Sequence, residues 1–176
     1  MAKSAWGIDA THSSIDFSIR HLMISKVKGT FHAFEASVNA DAEDLTTADI
    51  ELSIDLSSID TRNADRDAHL RNADFFDVEN HPKLIFKATN IVKTGAGEYD
   101  VTGDVTLHGV TKQETFEVTY EGASKDPWGN QRAGFSAKGK IKRSDYGLTY
   151  NAALETGGVM LGDDVAISLE LEAVKA

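Results

Sequence analysis

A chain of 176 residues without cysteine is long enough for one self-supporting core, and it can hold no disulfide framework, thiolate metal site or cysteine nucleophile. Its 28 acidic and 18 basic residues give a net charge of -10, which opposes nucleic-acid phosphates and anionic membrane surfaces as main partners. We therefore expect a single domain, residues 1–176, that does not bind nucleic acid.

Alternation of apolar and polar residues dominates the chain, as is typical of strands that bury one face. The pattern starts at Ile15, Phe17 and Ile19. The next run, Val27 to Val38, changes parity near His32–Ala33, which predicts a β-bulge there. Six more runs follow, at Ile50–Leu56, Leu84–Ala88, Tyr99–Leu107, Phe116–Tyr120, Phe135–Ile141 and Val165–Leu171. The sequence therefore predicts roughly eight strands.

Turn motifs separate several of these runs and suit hairpins between antiparallel neighbours. They lie at Gly95–Gly97, His108–Gly109 and Asp126–Asn130. Eight such strands predict an all-β, eight-stranded antiparallel barrel, since closure removes exposed edges, with a β-sandwich as the alternative. Small residues on the inward faces indicate a wall thin enough to leave a cavity, namely Gly29, Ala36, Ala88, Gly103, Ala137 and Gly139.

Two segments depart from the strand pattern. Residues Ala64–Arg71 predict a short helix, with Asn63 as its N-cap and Asp65 and Asp67 in its first turn. The stretch Tyr146–Val165 contains glycine and has little periodicity, so we predict a long loop within the same domain.

Short phrases along the chain resemble one known family. They are Trp6–Ser13, Phe17–His21, Val27–Phe31, Ser58–Thr61, Arg66–Leu70, Phe75–Asp77, His81–Phe86, Leu107–Lys112 and Arg143–Gly147. In this order they resemble the YceI-like, lipocalin-like polyisoprenoid-binding family. The resemblance implies a lipocalin-like barrel with one short helical excursion, often homodimeric, that encloses an elongated apolar cavity for an isoprenoid or similar lipid tail.

Candidate ligand-binding residues follow from parity and from the resemblance. We expect the barrel to be lined by Phe17, Ile19, Leu52, Phe86 and Phe135. His21 shares the parity of Ile19 and either points inward or forms a hydrogen bond at the rim. Phe31 and His108 lie in phrases of the resemblance and complete this set of candidates.

The helix offers a second group of candidates, for a polar lipid head. Arg66 and His69 lie within about one helical turn and would bring donors to the barrel mouth; the alternative is that Arg66 and Asp67 are capping and surface-pair residues. Phe75 and Phe76 are adjacent, so one would enter the cavity while the other packs on the helix, unless both belong to the core.

Metal binding and catalysis find little support in the sequence. The six histidines show no ligand spacing such as His-x-x-x-His, so we expect no metal site. No Gly-x-Ser-x-Gly elbow or phosphate-binding glycine loop occurs, and we expect no catalytic residue. Two alternatives to a lipid binder remain: a lipid-modifying enzyme that uses His21 or His108 as a general acid or base, and an interaction module with a filled core.

The remaining expectations concern ligand, partner and location. Apart from a bound isoprenoid or other amphiphilic lipid we expect no cofactor, and the only protein partner we expect is a second copy in a homodimer. No run of about eighteen apolar residues occurs, so stable membrane insertion is not expected. The start of the chain has no signal-like apolar stretch, which predicts a cytoplasmic protein, or a periplasmic or secreted one if a signal was removed.

Overall fold

The fold is known from a computed structural model, which describes residues 3–22, 24–151 and 161–176. The strands are β1 (Ser4–Ile8), β2 (Ser14–His21), β3 (Ser25–Phe31), β4 (Phe34–Asp41), β5 (Asp44–Asp55), β6 (Ile59–Asp60), β7 (Lys83–Gly95), β8 (Glu98–Leu107), β9 (Val110–Lys125), β10 (Gln131–Lys142) and β11 (Leu161–Lys175). The α-helix, α1, spans Ala64–Arg71, and 3-10 turns occupy Ala10–His12, Leu56–Ser58 and Arg143–Tyr146.

Eight strands close into an antiparallel barrel, as the sequence predicts. The order β1-β4-β5-β7-β8-β9-β10-β11 returns to its start because β11 also pairs with β1. β2 continues β1 after a short interruption, and β3 likewise runs into β4. β2 pairs with β11 and with β3, and β3 also pairs with β6. Each long edge of the sheet is thereby paired, which is the physical advantage of closure.

The predicted bulge at His32–Ala33 is confirmed. β3 ends at Phe31 and β4 begins at Phe34; between them the His32 amide donates to the Ser58 carbonyl at 3.4 Å, and the Ala33 carbonyl accepts from the Asp55 amide of β5 at 2.9 Å. The Ala33 amide donates to Ser58 Oγ at 3.0 Å. This interruption moves the inward parity by one residue, so that both halves of the run face the interior.

The predicted helix Ala64–Arg71 is also confirmed. Asn63 is extended, and its side-chain oxygen accepts from the Arg66 amide at 3.0 Å, which satisfies one of the free amides of the first turn. At the other end of the helix, Arg71 Nε donates to the Ser57 carbonyl at 2.9 Å and fixes α1 against the barrel. Of the described helices, none has the length and apolar character to span a membrane.

The two ends of the barrel differ in how they are covered. One end, here called the hairpin end, carries Ser4 and Lys175 together with the tight β4–β5, β7–β8 and β9–β10 turns. The other, here called the helix end, carries α1, the β2–β3 and β8–β9 turns and the β10–β11 connection. The helix end is well packed, and its buried side chains include Leu56, Ile59, Leu107, Tyr146 and Leu148.

Several strand limits differ from the prediction. β1 precedes the first predicted strand, and β7 and β9 extend to Gly95 and Lys125, where exposed polar residues hide the alternation. The predicted loop Tyr146–Val165 is too long, because β11 starts at Leu161 and Tyr146 closes a 3-10 turn. The part of that loop at 152–160 lies outside the described residues.

The inward glycines do not thin the wall as predicted. A Cβ on Gly29 would lie 2.4 Å from the Phe17 ring, one on Gly103 2.7 Å from the Phe86 ring, and one on Gly139 2.5 Å from the Phe116 ring. Each glycine therefore accommodates a phenyl ring laid over the strand, and the space it releases is filled.

Candidate functional site

The barrel encloses a cavity of about 470 Å³ with an almost entirely apolar wall. Its deep part is lined by Ile15, Leu52, Ile54, Leu84, Phe86, Val101, Val105, Phe116, Ile141, Ile167 and Leu169. The Phe86 and Phe116 rings meet edge to face with centroids 5.5 Å apart, which fixes both on the wall. A volume in this range suits one small ligand or part of a longer tail.

Polar groups enter the wall at the hairpin end alone, among the described lining residues. They come from the β9–β10 hairpin, as Ser124, Lys125, Gln131 and Arg132, and Trp6 of β1 lines the cavity nearby. Ser124, Lys125 and Gln131 are exposed, whereas the deep lining residues are buried or half-buried. The cavity therefore has its polar, accessible mouth at the hairpin end and a dry, closed bottom toward the helix end.

Two phenols lie in the wall at this same end. Tyr99 pairs across the sheet with Lys93 and Val118, and Tyr120 pairs with Phe135, whose ring centroid is 5.4 Å away. Neither phenol hydroxyl has a hydrogen-bond partner among the described residues, and both residues line the cavity. A ligand carbonyl or hydroxyl near the mouth would find donors here.

The cationic group of Arg132 is already neutralised by three carboxylates. Its Nε donates to Asp126 at 2.8 Å, and its Nη1 donates to Asp9 at 2.8 Å and to Glu172 at 2.7 Å. This guanidinium is the main cause that lowers the pKa of Asp126 to about 2. Hydrogen bonds from Thr11, His12 and Arg132 together hold the pKa of Asp9 far below its usual range. His12 Nδ1 lies 2.8 Å from Asp9, which raises the pKa of His12. The mouth thus carries more negative than positive charge around Arg132.

Of the twelve residues predicted to bind ligand, three lie on the cavity wall: Leu52, Phe86 and Phe135. Phe17, Phe31 and Phe76 instead form an aromatic group toward the helix end, with Phe17 and Phe31 centroids 5.4 Å apart and Phe31 and Phe76 6.2 Å apart. The three rings point inward, as their parity predicts for Phe17 and Phe31, but they pack against one another in the core and do not line the cavity.

Ile19 and His21 also lie outside the described cavity lining. Both belong to the part of β2 that pairs with β3 and with the start of β11, where Ile19 lies opposite Val165. His21 is half-buried at the end of its strand, opposite Ser25. Its inward parity therefore gives it no place on the wall.

The polar cluster predicted at the mouth lies at the opposite end of the barrel. Arg66 donates from Nε to Thr61 Oγ1 at 2.8 Å and from Nη2 to the Thr61 carbonyl at 2.7 Å, and the buried Asp67 accepts from the Thr61 amide at 2.9 Å. His69 pairs with Asp74 at 2.9 Å. These groups hold the β6–α1 connection in place through Thr61; Asp67 is buried and Arg66 has no carboxylate partner among the described residues, so they are not the surface pair of the alternative.

The remaining predicted residues are also at the helix end. Phe75 is buried against His69 and Tyr150, with ring centroids 5.0 Å from each. His108 lies in the β8–β9 turn with its Nδ1 3.2 Å from the Tyr146 carbonyl. Neither Phe75 nor His108 faces the described cavity; Phe75 is buried, and Phe76 packs against the hydrophobic core.

A second depression, of about 1060 Å³, is open to solvent on the outer face of β9, β10, β11, β2 and β3. Its lining mixes both signs of charge, as in Lys28, Asp60, Glu117 and Lys140. Phe17 and Ile167 also line it, but the absence of a dominant charge and its openness to solvent give this depression no evident ligand.

The sequence reasoning missed Trp6, Tyr99, Tyr120 and the β9–β10 polar group. A signal for the tyrosines was present, since each shares the apolar parity of its strand: Tyr99 with Val101, and Tyr120 with Val118. Parity shows which face of a strand a residue lies on, but not at which end of the barrel. The end depends on how the hairpins connect the strands.

Comparison with known proteins gives a consistent set of similarities. A sequence profile described as YceI-like domain matches residues 6–173. A UPF0312 protein of Staphylococcus epidermidis is 46% identical over 168 residues, 95% of either chain. BcnA of Burkholderia cenocepacia is similar in structure with a TM-score of 0.82 and 23% identity, over 94% of this chain and 98% of its own. A polyisoprenoid binding domain from Saccharophagus degradans has a TM-score of 0.74 and 19% identity, over 98% and 99%.

Proposed function

Since this chain belongs to the YceI-like domain family, we propose that it binds an amphiphilic lipid, with an isoprenoid or similar tail in the barrel cavity and the head at the hairpin end. The observation that carries the proposal is the cavity itself, which is apolar along its depth and polar at one mouth. The similarity to a domain described as polyisoprenoid binding supports the choice of tail.

Burial of the tail is sufficient to explain retention. At about 0.8 kcal/mol for each buried CH₂, ten buried methylenes contribute roughly 8 kcal/mol, which corresponds to a Kd near micromolar before ordering costs. No charged anchor is needed for this. Specificity then comes from the length of the cavity and from the few polar groups at its mouth.

The charge at the mouth favours an uncharged head. The guanidinium of Arg132 and the protonated ring of His12 are already paired with Asp9, Asp126 and Glu172, which leaves Lys125 as the unpaired cation among the described lining residues. A phosphate head would compete with these carboxylates for the arginine, while a quinone carbonyl or an alcohol needs only donors or acceptors such as Tyr99, Tyr120 and Gln131. We therefore propose a neutral isoprenoid, such as a prenylquinone or prenyl alcohol, over a prenyl phosphate.

Carriage or sequestration is a better proposal than lipid modification. Along its described lining the cavity has no histidine, aspartate or glutamate, and the two histidines considered as acid or base, His21 and His108, lie elsewhere. The titratable side chains on that lining are Tyr99, Tyr120, Lys125 and Arg132, all at the mouth, so the buried part of a tail has no acid or base within hydrogen-bond reach. The interaction module with a filled core is disfavoured because space remains between the walls.

The two tryptophans allow a direct binding test. Trp6 lines the cavity, whereas Trp128 is 82% exposed on the β9–β10 turn, so the Trp128→Phe variant leaves Trp6 as the sole tryptophan reporter. We expect geranylgeraniol to change Trp6 fluorescence in lipid-stripped protein with a saturable curve. Geranylgeranyl phosphate has the same tail and should bind more weakly, most clearly at low salt.

Two results would contradict the proposal. The absence of a saturable response to either ligand, combined with organic extracts that mass spectrometry finds free of lipid in several detergent-free preparations, would reject lipid binding. Tighter binding of the phosphate than of the alcohol would reject the neutral head alone. A Trp6→Phe variant, which removes the reporter, provides the control for indirect quenching.

A further inference from the structure

Three metal-ligating side chains meet at the helix end, outside the lipid cavity. Asp77 and His81 come from the connection between α1 and β7, and His108 comes from the β8–β9 turn. Their ligand atoms all lie within 4.8 Å of one another, and each residue is half-buried. The six histidines show no ligand spacing along the sequence, but the fold gathers two of them with a carboxylate.

The pairing of β7 with β8 is what brings the two histidines together. His81 immediately precedes Pro82 and β7, and His108 immediately follows β8, so the antiparallel register Ile85↔Thr106 carries both to the same corner. The imidazole rings lie with centroids 4.9 Å apart. Gly109 makes room for this arrangement, since a Cβ there would lie 3.0 Å from His81 Cε1.

Asp77 begins a tight turn that leads to His81. Asp77 has a left-handed φ of 50°, and its carbonyl accepts from the amides of Asn80 at 3.1 Å and of His81 at 2.8 Å. The Asn80 side-chain amide nitrogen lies 3.0 and 3.2 Å from the two carboxylate oxygens and orients the group. Aspartate is one of the residue types that tolerate this conformation.

Hydrogen bonding leaves a ring nitrogen without a partner on each histidine, among the described residues. The Tyr146 carbonyl can only accept, so His108 Nδ1 carries the proton in that 3.2 Å contact and Nε2 keeps its lone pair. Donation of the second ring nitrogen to a backbone carbonyl is the usual support for a metal-bound histidine. Neither ring nitrogen of His81 has a hydrogen-bond partner among the described residues, so one is available to a ligand.

From this geometry we propose that Asp77, His81 and His108 bind a divalent transition-metal ion of the Zn²⁺ type. Two imidazoles and one carboxylate are a ligand set that Zn²⁺ accepts in tetrahedral coordination, with the fourth position open to water. The ion would fasten the α1–β7 connection to the β8–β9 turn and so brace the closed end of the barrel. The proposal is independent of lipid binding, which takes place at the other end.

A second cluster of metal-ligating side chains among the described residues differs from this one because it already contains a cation. Asp9, His12 and Glu172 also gather within ligand distance, but Arg132 Nη1 lies 2.8 Å from Asp9 and 2.7 Å from Glu172. There the arginine supplies the positive charge. Around Asp77 the described contacts include no such cation, only the Asn80 amide.

The test is titration of EDTA-treated protein with Zn²⁺ by calorimetry, with Co²⁺ absorption as a second readout of the coordination geometry. We expect one equivalent to bind and the Tm to rise with Zn²⁺ concentration, because binding to the native state stabilises it. His81→Gln and His108→Gln should each weaken binding at least tenfold. His69→Gln is the matched control, since His69 lies at the same end and pairs with a single carboxylate, Asp74.

The side-chain ¹⁵N spectrum of the wild-type protein guards against variants that fail to fold. Zn²⁺ should shift one ring nitrogen of His81 and the Nε2 of His108, while His108 Nδ1 stays protonated. The proposal is overturned if no equivalent binds, if His69→Gln weakens binding as much as the cluster variants, or if all six histidines shift together. A uniform shift of that kind would show adventitious surface binding only.

Discussion

At the residue scale, the two unpartnered phenols near the mouth are the groups most able to recognise a lipid head. We predict that Tyr99→Phe and Tyr120→Phe each weaken binding of geranylgeraniol by about fivefold, the loss of one hydrogen bond worth about 1 kcal/mol. Binding of a hydrocarbon of equal length without a head should not change. Equal losses for both ligands would show that the hydroxyls act on packing alone. Trp6 fluorescence supplies the measurement.

Phe135 and Phe31 form a second pair of tests, one on the cavity wall and one in the core. Phe31 is 7% exposed and contacts both Phe17 and Phe76, so Phe31→Ala should destabilise by about 3–5 kcal/mol and leave ligand preference unchanged. Phe135→Ala enlarges existing space, so its stability cost should be smaller and the preferred tail length should increase. Urea denaturation of lipid-stripped protein and competition among prenyl alcohols measure the two effects.

The opposite result, with a large loss of stability in Phe135→Ala and an altered ligand preference in Phe31→Ala, would contradict the assignment of Phe135 to the cavity wall and of Phe31 to the core. Bound lipid must be removed before the melts, since it stabilises the native state by mass action.

The sequence predicts whether a side chain points into the barrel, but not whether it lies at the level of the cavity. Alternation identifies Leu52, Phe86 and Phe135 as inward, and all three lie on the cavity wall. It identifies Phe17 and Ile19 as inward equally well, yet neither lies on the described cavity wall. A period of two specifies the face of a strand and carries no information about height.

At the element scale, the glycines beneath aromatic rings determine how closely the strands of the wall pack. We predict that Gly139→Ala destabilises the protein by about 1–3 kcal/mol, because its Cβ would overlap the Phe116 ring. Gly134→Ala is a control in the same strand, β10, since the nearest atom to its Cβ would be 3.6 Å away. A Gly139→Ala variant as stable as the wild type in urea would contradict the close ring contact.

The Arg132 group, which ties the β9–β10 hairpin to β11 and to the turn after β1, should make stability depend on pH. Asp9 raises the pKa of His12 above 6.5, so the contribution of His12 is complete below pH 6.5 and is lost as pH rises through the raised value. The pKa of Asp126 is lowered to about 2, so its contribution is present above its ordinary value of 3.8 and is lost toward pH 2. Stability from this group therefore peaks between these limits.

We predict that the urea midpoint of the wild type falls more between pH 6 and pH 8 than that of His12→Gln. Parallel curves for the two proteins would rule out this role for His12. Since His12 is exposed, the difference should shrink at high salt, and NMR titration of the ring should give a pKa above 6.5 directly.

The elements themselves were largely predictable, for reasons that differ from one to the next. The N-cap and the first-turn acids of α1 all lie within residues 63–67, so the sequence predicts the start of the helix. The bulge at His32–Ala33 is visible in the sequence as a change of parity. The start of β11 and the extension of β9 were not predictable, because their outer residues are exposed and pairing with neighbours, not alternation, defines them.

At the scale of the whole molecule, we propose that the barrel forms a two-fold homodimer at micromolar concentration. Each subunit carries a net charge of -10, so association should be weaker at about 0.01 M salt than at about 0.15 M, where screening is stronger. Light scattering at both ionic strengths measures this. A monomer under both conditions would contradict the dimer and would leave lipid binding unaffected.

Both ends of the described chain lie beside the cavity mouth. Trp6 is paired with Lys175, and the Ala176 amide donates to the Ala5 carbonyl at 2.9 Å. Any affinity tag, surface tether or fused domain attached at either terminus is therefore delivered to the entrance, where it can obstruct loading. A tether placed instead on the β8–β9 turn would point the open mouth away from the support. Because Ala5 and Ala176 are adjacent, a short peptide that joins the chain across these two residues would make a circular permutant whose new ends could be placed at the helix end, away from the entrance.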